Sequence, residues 1–539
     1  MGAPPIPDDS EANHTHRRIG IAGMPLSAIA FLLLTTAFSV LTEHYRLLDG
    51  DDFLELFGDK AASLGQLWHI QREFPLTIDP FFFHGLTFLV VRFFGISPFA
   101  LRLSSLLGFL LMQLCLFYFV RRIALQRAAV FALAFPMLTA AFGYTVHVRP
   151  YGLLLGLFGL AMLSWQTAVR RPRHRSWALA VLAVSIAVAI NTHYYGVLLL
   201  VPLCAAELVR ALQSRRVDVP VLLSLCVGMA GMVFLLPFLK GAAGFHSHYQ
   251  AGAVSYRVNT QIYNFILLGQ VAYSKNINRL LVLGLGLLIV LVLWGCTRQW
   301  RRKTLNLPDA ELVFLITLAA LPLFGFLLGH FVTHTLEPRY VLGSVIGIAA
   351  LLAIALAPLF RNDRFGRFAL LLLFAAVTCK GIVDVRAEQK TMQDSLASLI
   401  LSSEVKSAIL ASPSQLLYTD NVFLYGFASY YEPDAYVRSH LALFYSRDED
   451  MRWIHSDTSS RTVLHLKSFT PYTILPYESL ATQPGEHLFI VSPGAWNWID
   501  RALAAEHAEA TPIGNAFGRE VVSVRFPGSA PGSTPSPRP

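Results

Sequence analysis

Residues 21–52 read IAGMPLSAIAFLLLTTAFSVLTEHYRLLDGDD, and the two halves of this stretch decide how the rest of the chain is read. Ile21 to Leu41 is apolar and uncharged. As a helix rising about 1.5 Å per residue it is long enough to cross a hydrocarbon core of about 30 Å. It follows a polar tail, residues 1–20, that ends near Arg17-Arg18, and it runs straight into carboxylates. A cleaved leader would have a shorter apolar core and a soluble domain behind it. Here further apolar runs follow, so the stretch reads as a signal-anchor helix.

The whole chain is built in this way. Its 539 residues are 54% hydrophobic and 14% charged, with mean hydropathy +0.51, whereas soluble domains carry about 25% charge. A disordered chain, a collagen-like chain and an ordinary soluble enzyme are excluded. The 43 Lys and Arg against 34 Asp and Glu leave +9. The basic residues fall in short clusters between apolar runs, so they act as topology signals and not as a nucleic-acid surface. Cys115, Cys204, Cys226, Cys296 and Cys379 lie in or beside apolar stretches without metal or redox spacing, which gives neither a disulfide framework nor a zinc site.

Ten more runs have the length and composition of spans: Ser97–Val120, Arg127–Gly143, Tyr151–Val169, Trp177–Ile190, Tyr194–Val209, Val219–Leu239, Asn278–Cys296, Glu311–Phe331, Tyr340–Phe360 and Phe368–Val383. With the first, that predicts about eleven transmembrane helices in a domain covering residues 21–384. Arg clusters around Arg17, Arg121, Arg170, Arg210, Arg298 and Arg361 occupy every second loop. The positive-inside rule then places the N-terminus in the cytoplasm. Phe81 to Phe94 is too short for a span and carries His84 and Arg92. Counting it as a crossing would put every later cluster outside, so it is expected to lie at the outer interface with its aromatics against lipid.

Residues 385–526 are richer in charge and turns. Gln415–Thr419 and His487–Ser492 read as strands, and Asn421–Tyr431 and Trp496–His507 as the helices that follow them. The expected fold class is therefore an all-α polytopic membrane domain with a small C-terminal extracytoplasmic α/β domain. Residues 527–539, mostly Pro, Gly and Ser, cannot build a core and are expected to be a disordered tail.

Chemistry-bearing residues gather at the outer ends of the spans. The first outer loop holds Glu43, Asp49, Asp51, Asp52, Glu55, Asp59, Glu73 and Asp79. Adjacent carboxylates such as Asp51 and Asp52 suit a general base or a divalent-cation ligand; Asp at a helix start equally suits a cap. Both readings stand at this point. His147-Val148-Arg149-Pro150-Tyr151 sits where one span ends and the next begins, and His193 lies in a polar cluster at the same level. Each of these residues fits a ligand contact or a structural anchor. Arg257 and Lys275 make one outer loop basic and aromatic, a composition that suits an anionic lipid head group and that a long outer loop equally tolerates without a ligand. Arg339 and Tyr340 open a late span; a guanidinium there either braces the helix or grips a phosphate with two hydrogen bonds.

Taken together, the acidic pair after the first span, the interfacial helix before Gly95-Ile96-Ser97-Pro98-Phe99-Ala100-Leu101-Arg102-Leu103, the Arg149-Pro150-Tyr151 junction and Arg339-Tyr340 resemble glycosyltransferases of the C superfamily. The similarity is greatest to the bacterial branch that includes the lipid A aminoarabinose transferase and is related to protein O-mannosyltransferases. It spans Ile21 to Val383. It implies a bacterial inner-membrane enzyme, multi-pass, with its C-terminal domain outside. It further implies a sugar donor carried on polyprenyl phosphate and transfer, with inversion, to a hydroxyl of an envelope glycan, lipid or protein. Asp51 matches the Asp of that family's acidic pair and would act as base; Asp52 stands where the family has Glu. Arg149 and Arg339, helped by Arg257 or Lys275, would hold the donor phosphate, with His147, His193 and Tyr340 nearby. No organic cofactor follows from the resemblance, and a divalent cation stays open. The competing class is a lipid or solute transporter, which would concentrate ionisable residues near mid-membrane.

Overall fold

Ser97 and Pro98 begin a helix for local reasons: the Ser97 hydroxyl accepts the Ala100 amide at 3.2 Å and Pro98 needs no donor in the first turn. The computed structural model describes residues 24–77, 79–246, 256–269, 275–483, 485–491 and 498–527, so the tail at 1–20 and all but the first residue of the tail at 527–539 lie outside them. Each of the eleven apolar runs is helical over most of its described residues. After α1 (Leu26–Tyr45) come three shorter helices, α2 (Asp52–Gly58), α3 (Leu64–Glu73) and α4 (Phe81–Phe94), and then α5 (Pro98–Arg121). The bundle continues with α6 (Gln126–Ala134), α7 (Ala140–Gly143), α8 (Tyr151–Arg170), α9 (Arg175–Thr192), α10 (Leu200–Ser214), α11 (Val219–Ala230) and α12 (Leu236–His246). It ends with α13 (Tyr256–Leu268), α14 (Lys275–Arg301), α15 (Asp309–Ala319), α16 (Leu321–Leu328), α17 (Ser344–Ala355), α18 (Ala357–Arg361) and α19 (Asp363–Ala397). Among the described residues seven helices are long and apolar enough to cross a membrane, and α15 with α16 and the turn after it adds an eighth, bent by 56°. The chain is a multi-pass membrane protein.

Several runs expected as single helices are broken, and proline accounts for most of the breaks. Pro136 falls in a 3-10 turn between α6 and α7, and Pro322 and Pro358 open α16 and α18; each lacks the donor a continuing helix needs. The short run 81–94 is one helix, as expected, but its aromatics are divided. Phe93 and Phe94 face outward, while Phe83 and Phe88 are buried.

Helices α5 and α8 pack backbone against backbone. A β-carbon on Gly108, Gly152 or Gly156 would collide with the facing backbone, so Gly152-Leu153-Leu154-Leu155-Gly156 works as a small-residue seam. In lipid, where apolar surface gives helices no reason to prefer each other over the solvent, such close approach is what holds a pair together. The same seam sets the start of α8 against α5: the Ser105 hydroxyl donates to the Arg149 carbonyl at 2.6 Å.

The C-terminal unit has the expected α/β character. Its six strands run in the order β3-β2-β1-β4-β6-β5, namely β1 (Leu417–Thr419), β2 (Leu441–Tyr445), β3 (Ile474–Pro476), β4 (His487–Val491), β5 (Glu509–Ala516) and β6 (Arg519–Arg525). Strands β3, β2, β1 and β4 are parallel, and β6 and β5 continue the sheet antiparallel. The helix expected at 421–431 is present at Val422–Tyr431; of the one expected at 496–507, Ile499–Ala505 is helical and its first two residues lie outside the described set. The unit does not hang free. α19 runs unbroken through the expected boundary at Asp384, and Phe53 of α2 fills the space beside Gly426. Leu48, Phe53, Leu54 and Phe57 share one hydrophobic core with Leu417, Val422 and Leu443.

Candidate active site

The segment between α1 and α2 is fixed by one buried cation. Arg102, fully buried in α5, donates to the carbonyls of Arg46 at 2.9 Å and Leu47 at 3.0 Å and to Asp52 at 3.1 Å. The other Asp52 oxygen accepts the Val148 amide at 3.1 Å. Burial raises the Asp52 carboxyl above its ordinary range, and the facing Arg102 works against that rise. Asp52 therefore ties α2 to α5 and to the turn before α8. It points inward, with its side chain 2% exposed.

Asp51 points the other way. It starts α2 without making a side-chain cap, which removes the capping explanation, and its carboxylate is ion-paired with Arg149. The Arg149 guanidinium also reaches Asp79 at 3.4 Å, and the other Asp79 oxygen faces His193 Nε2 at 3.7 Å. Asp51 is the exposed member, at 38%, against 13% for Arg149 and 12% for Asp79. Burial and the nearby Glu55 push Asp79 up to about 6, opposed by His84 and Arg339. Burial, with Arg339 and Arg149 adding to it, pushes His193 down to about 3, so its ring is neutral. Its Nδ1 accepts the Tyr195 amide at 3.1 Å, which puts the proton on Nε2, facing Asp79.

A wall of rings completes the site. Tyr340 lies 4.8 Å from Tyr195, 4.9 Å from His193 and 6.3 Å from Tyr151 between ring centres. Arg339 sits over Tyr340 at 5.8 Å, and among the described residues its buried Nε has no hydrogen-bond partner. His147 Nδ1 lies 3.3 Å from an Arg46 nitrogen; a guanidinium only donates, so this His147 nitrogen accepts. Burial and neighbouring arginines hold His147 well below its ordinary pKa. Arg46 also binds Glu388 of α19 at 2.8 Å, and Tyr431 accepts the Leu48 amide at 2.7 Å, so the C-terminal unit grips the loop that carries Asp51.

The expected residues thus separate into three groups. Asp51, Arg149, His193, Arg339 and Tyr340 converge on one site. Asp52 and His147 stand behind it and hold its frame. The side chains of Arg257 and Lys275 lie outside the described residues. The adjacent carboxylates, read as suiting a general base or a cation ligand, diverge to different arginines, and among the described residues no three metal-binding side chains converge. Two members were not singled out from sequence. Arg102, a charge within an apolar run, carried its own signal, whereas Asp79 was one of eight acidic residues in its loop.

Comparison with known proteins places the fold. A family model described as dolichyl-phosphate-mannose-protein mannosyltransferase matches residues 79–240. No curated protein sequence matches. The chain resembles the crystal structure of ArnT from Cupriavidus metallidurans in the apo state, with a TM-score of 0.58 at 14% identity, over 92% of this chain and 97% of that one. It resembles the same protein bound to undecaprenyl phosphate with a TM-score of 0.56 at 15% identity, over 94% and 99%. The chain has the fold of the C-superfamily glycosyltransferases.

Proposed function

We propose that the chain is an integral-membrane glycosyltransferase that moves a sugar from a polyprenyl-phosphate donor to an acceptor hydroxyl beside Asp51. The fold supports this reading, as do the family match and the undecaprenyl phosphate bound by the C. metallidurans protein. The observation that carries it is Arg149, a guanidinium held between Asp51 and Asp79 with Arg339 close by. Such an arrangement offers an exposed carboxylate next to two cations suited to phosphate.

On this reading the donor phosphate takes the Arg149 hydrogen bonds from Asp51. Asp51, released, accepts the proton of the acceptor hydroxyl as its oxygen attacks the anomeric carbon. The bond from that carbon to the phosphate oxygen breaks, its electron pair stays on the phosphate, and Arg149 and Arg339 stabilise the charge as polyprenyl phosphate leaves. Attack opposite the leaving group inverts the anomeric centre. The neutral His193 and the tyrosine wall position the sugar. The site lies at the ends of α1 and α8 remote from the Arg clusters, which supports an extracytoplasmic reaction at a bacterial inner membrane with the N-terminus in the cytoplasm. Transport is the weaker reading, because the polar groups at Asp51, Arg149 and Arg339 gather at helix ends.

The test is purified protein in liposomes with a polyprenyl-phosphate sugar labelled in the sugar. Label passing to added acceptor with release of polyprenyl phosphate supports the reading. Donor that crosses the bilayer with its sugar intact supports the transporter instead.

A further inference from the structure

The opposite end of the bundle holds a chamber. It lies among the first turns of α1, α6 and α19 and the end of α18, with a volume of about 650 Å³. α1 has 20 residues and so is about 30 Å long, which separates this chamber from Asp51 by the thickness of a hydrocarbon core. Its inner walls are apolar, formed by Phe31, Val130 and Phe374, with Phe31 and Phe374 in edge-to-face contact at 5.7 Å. Arg127, Arg361 and Arg367 line it as well.

The three guanidiniums are anchored beside the chamber. Arg127 donates to the Phe360 carbonyl at 3.4 Å, and Arg361 to the Thr304 carbonyl at 2.8 Å. Asp363 pairs with both Arg127 and Arg367. Among the described residues, three cations against this one carboxylate leave the rim positive by two charges. An apolar slot with a positive rim, opening where helices enter the membrane, matches a molecule with a negative head and hydrocarbon chains. A soluble phosphate would leave the Phe31 and Phe374 walls uncovered.

We propose that this chamber seats one anionic phospholipid, its phosphate against Arg127, Arg361 and Arg367 and its acyl chains along Phe31 and Phe374. The lipid joins α1 to α6 and α19, and Asp363 competes with its phosphate for Arg127 and Arg367. The site is independent of the sugar chemistry proposed above.

Native mass spectrometry of the full-length protein in detergent tests this, with phosphatidylglycerol and phosphatidylcholine of equal chain length and with glycerol phosphate as a chainless probe. One phosphatidylglycerol should be held about tenfold more tightly than phosphatidylcholine, and glycerol phosphate should not be retained. Arg127→Gln with Arg361→Gln should abolish the preference. Asp363→Asn should strengthen it, a direction that a purely structural salt bridge does not give. Equal retention of the two lipids by the wild type would overturn the proposal. So would a preference surviving in the double variant, or weaker binding in Asp363→Asn. Should the double variant fail to fold, the wild-type comparison and Asp363→Asn decide the matter.

Discussion

The Arg149 guanidinium is ion-paired with the Asp51 carboxylate, so the cation suited to a donor phosphate and the group suited to accept a proton hold each other until something displaces one of them. A phosphate that takes Arg149 also frees Asp51. On the proposed reading, donor binding and activation of the base are then one event, and deprotonation of the acceptor is limited to the loaded site.

Arg149→Ala should raise the donor KM and lower kcat/KM by about 10- to 100-fold, the range of a charge-assisted hydrogen bond of about 1.5–3 kcal/mol. Arg149→Lys retains the charge but loses the two-pronged grip and should fall between Ala and wild type. Initial rates over a donor titration measure this. A normal donor KM in the Ala variant would leave Arg149 as a structural anchor.

Asp79 gives a pH dependence of defined sign. Its pKa rises from 3.8 to about 6 in the folded protein, so the contribution of its protonated form to stability is full below about pH 4 and lost as pH rises through about 6. Its hold on Arg149 needs the ionised form and develops over the same window in the opposite direction. The pH profile of kcat/KM should show an acid limb near pH 6, and in Asp79→Asn the remaining activity should be flat through that region. A limb that persists in the variant would assign it to another group.

Arg102→Ala leaves Asp52 buried without its cation, and breaking a buried pair in this way costs about 3–5 kcal/mol. Denaturant or thermal unfolding of detergent-solubilised protein should show a large loss. Arg102→Met combined with Asp52→Leu should recover much of the stability, because burying no charge is often neutral or better. Since Arg102 also supports the backbone at Arg46 and Leu47, the double variant should be stable yet impaired in turnover.

Gly152→Val forces a side chain into the backbone of α5 and should destabilise the protein by about 1–3 kcal/mol, while shifting Arg149 three residues away. Gly143→Ala, at a position with nothing within 4 Å, is the control and should be close to wild type in both stability and activity. Equal effects of the two changes would remove the α5–α8 seam from the account of how the site is positioned.

What was legible in the sequence follows from range. Length and hydropathy are local, so the helical runs from Leu26 to Ala397 could be read directly, and Pro136, Pro322 and Pro358 could have marked the breaks within them. Asp51 was legible because it directly follows a span, and Arg149 because it precedes Pro150 at a helix start. The partner of each was not. Nothing at Asp79 distinguishes it from Glu73 or Asp59 until the fold sets it against Arg149, and nothing at Asp52 says that it turns inward until Arg102 is found facing it. The strands followed the same rule. β4 (HLFIV) stood out as a β-rich run, whereas β2 (LALFY) reads equally as buried helix and β3 is only three residues long.

The most direct test compares wild-type protein with Asp51→Asn for turnover of a polyprenyl-phosphate sugar, with folding of both checked by thermal unfolding. Loss of the base should lower kcat by about 10²–10⁴-fold. The donor KM should stay the same or fall, because the neutral amide of the variant no longer competes with phosphate for Arg149. Wild-type turnover in the Asp51→Asn variant would contradict the account and leave Asp51 as nothing more than the residue that holds Arg149 in place.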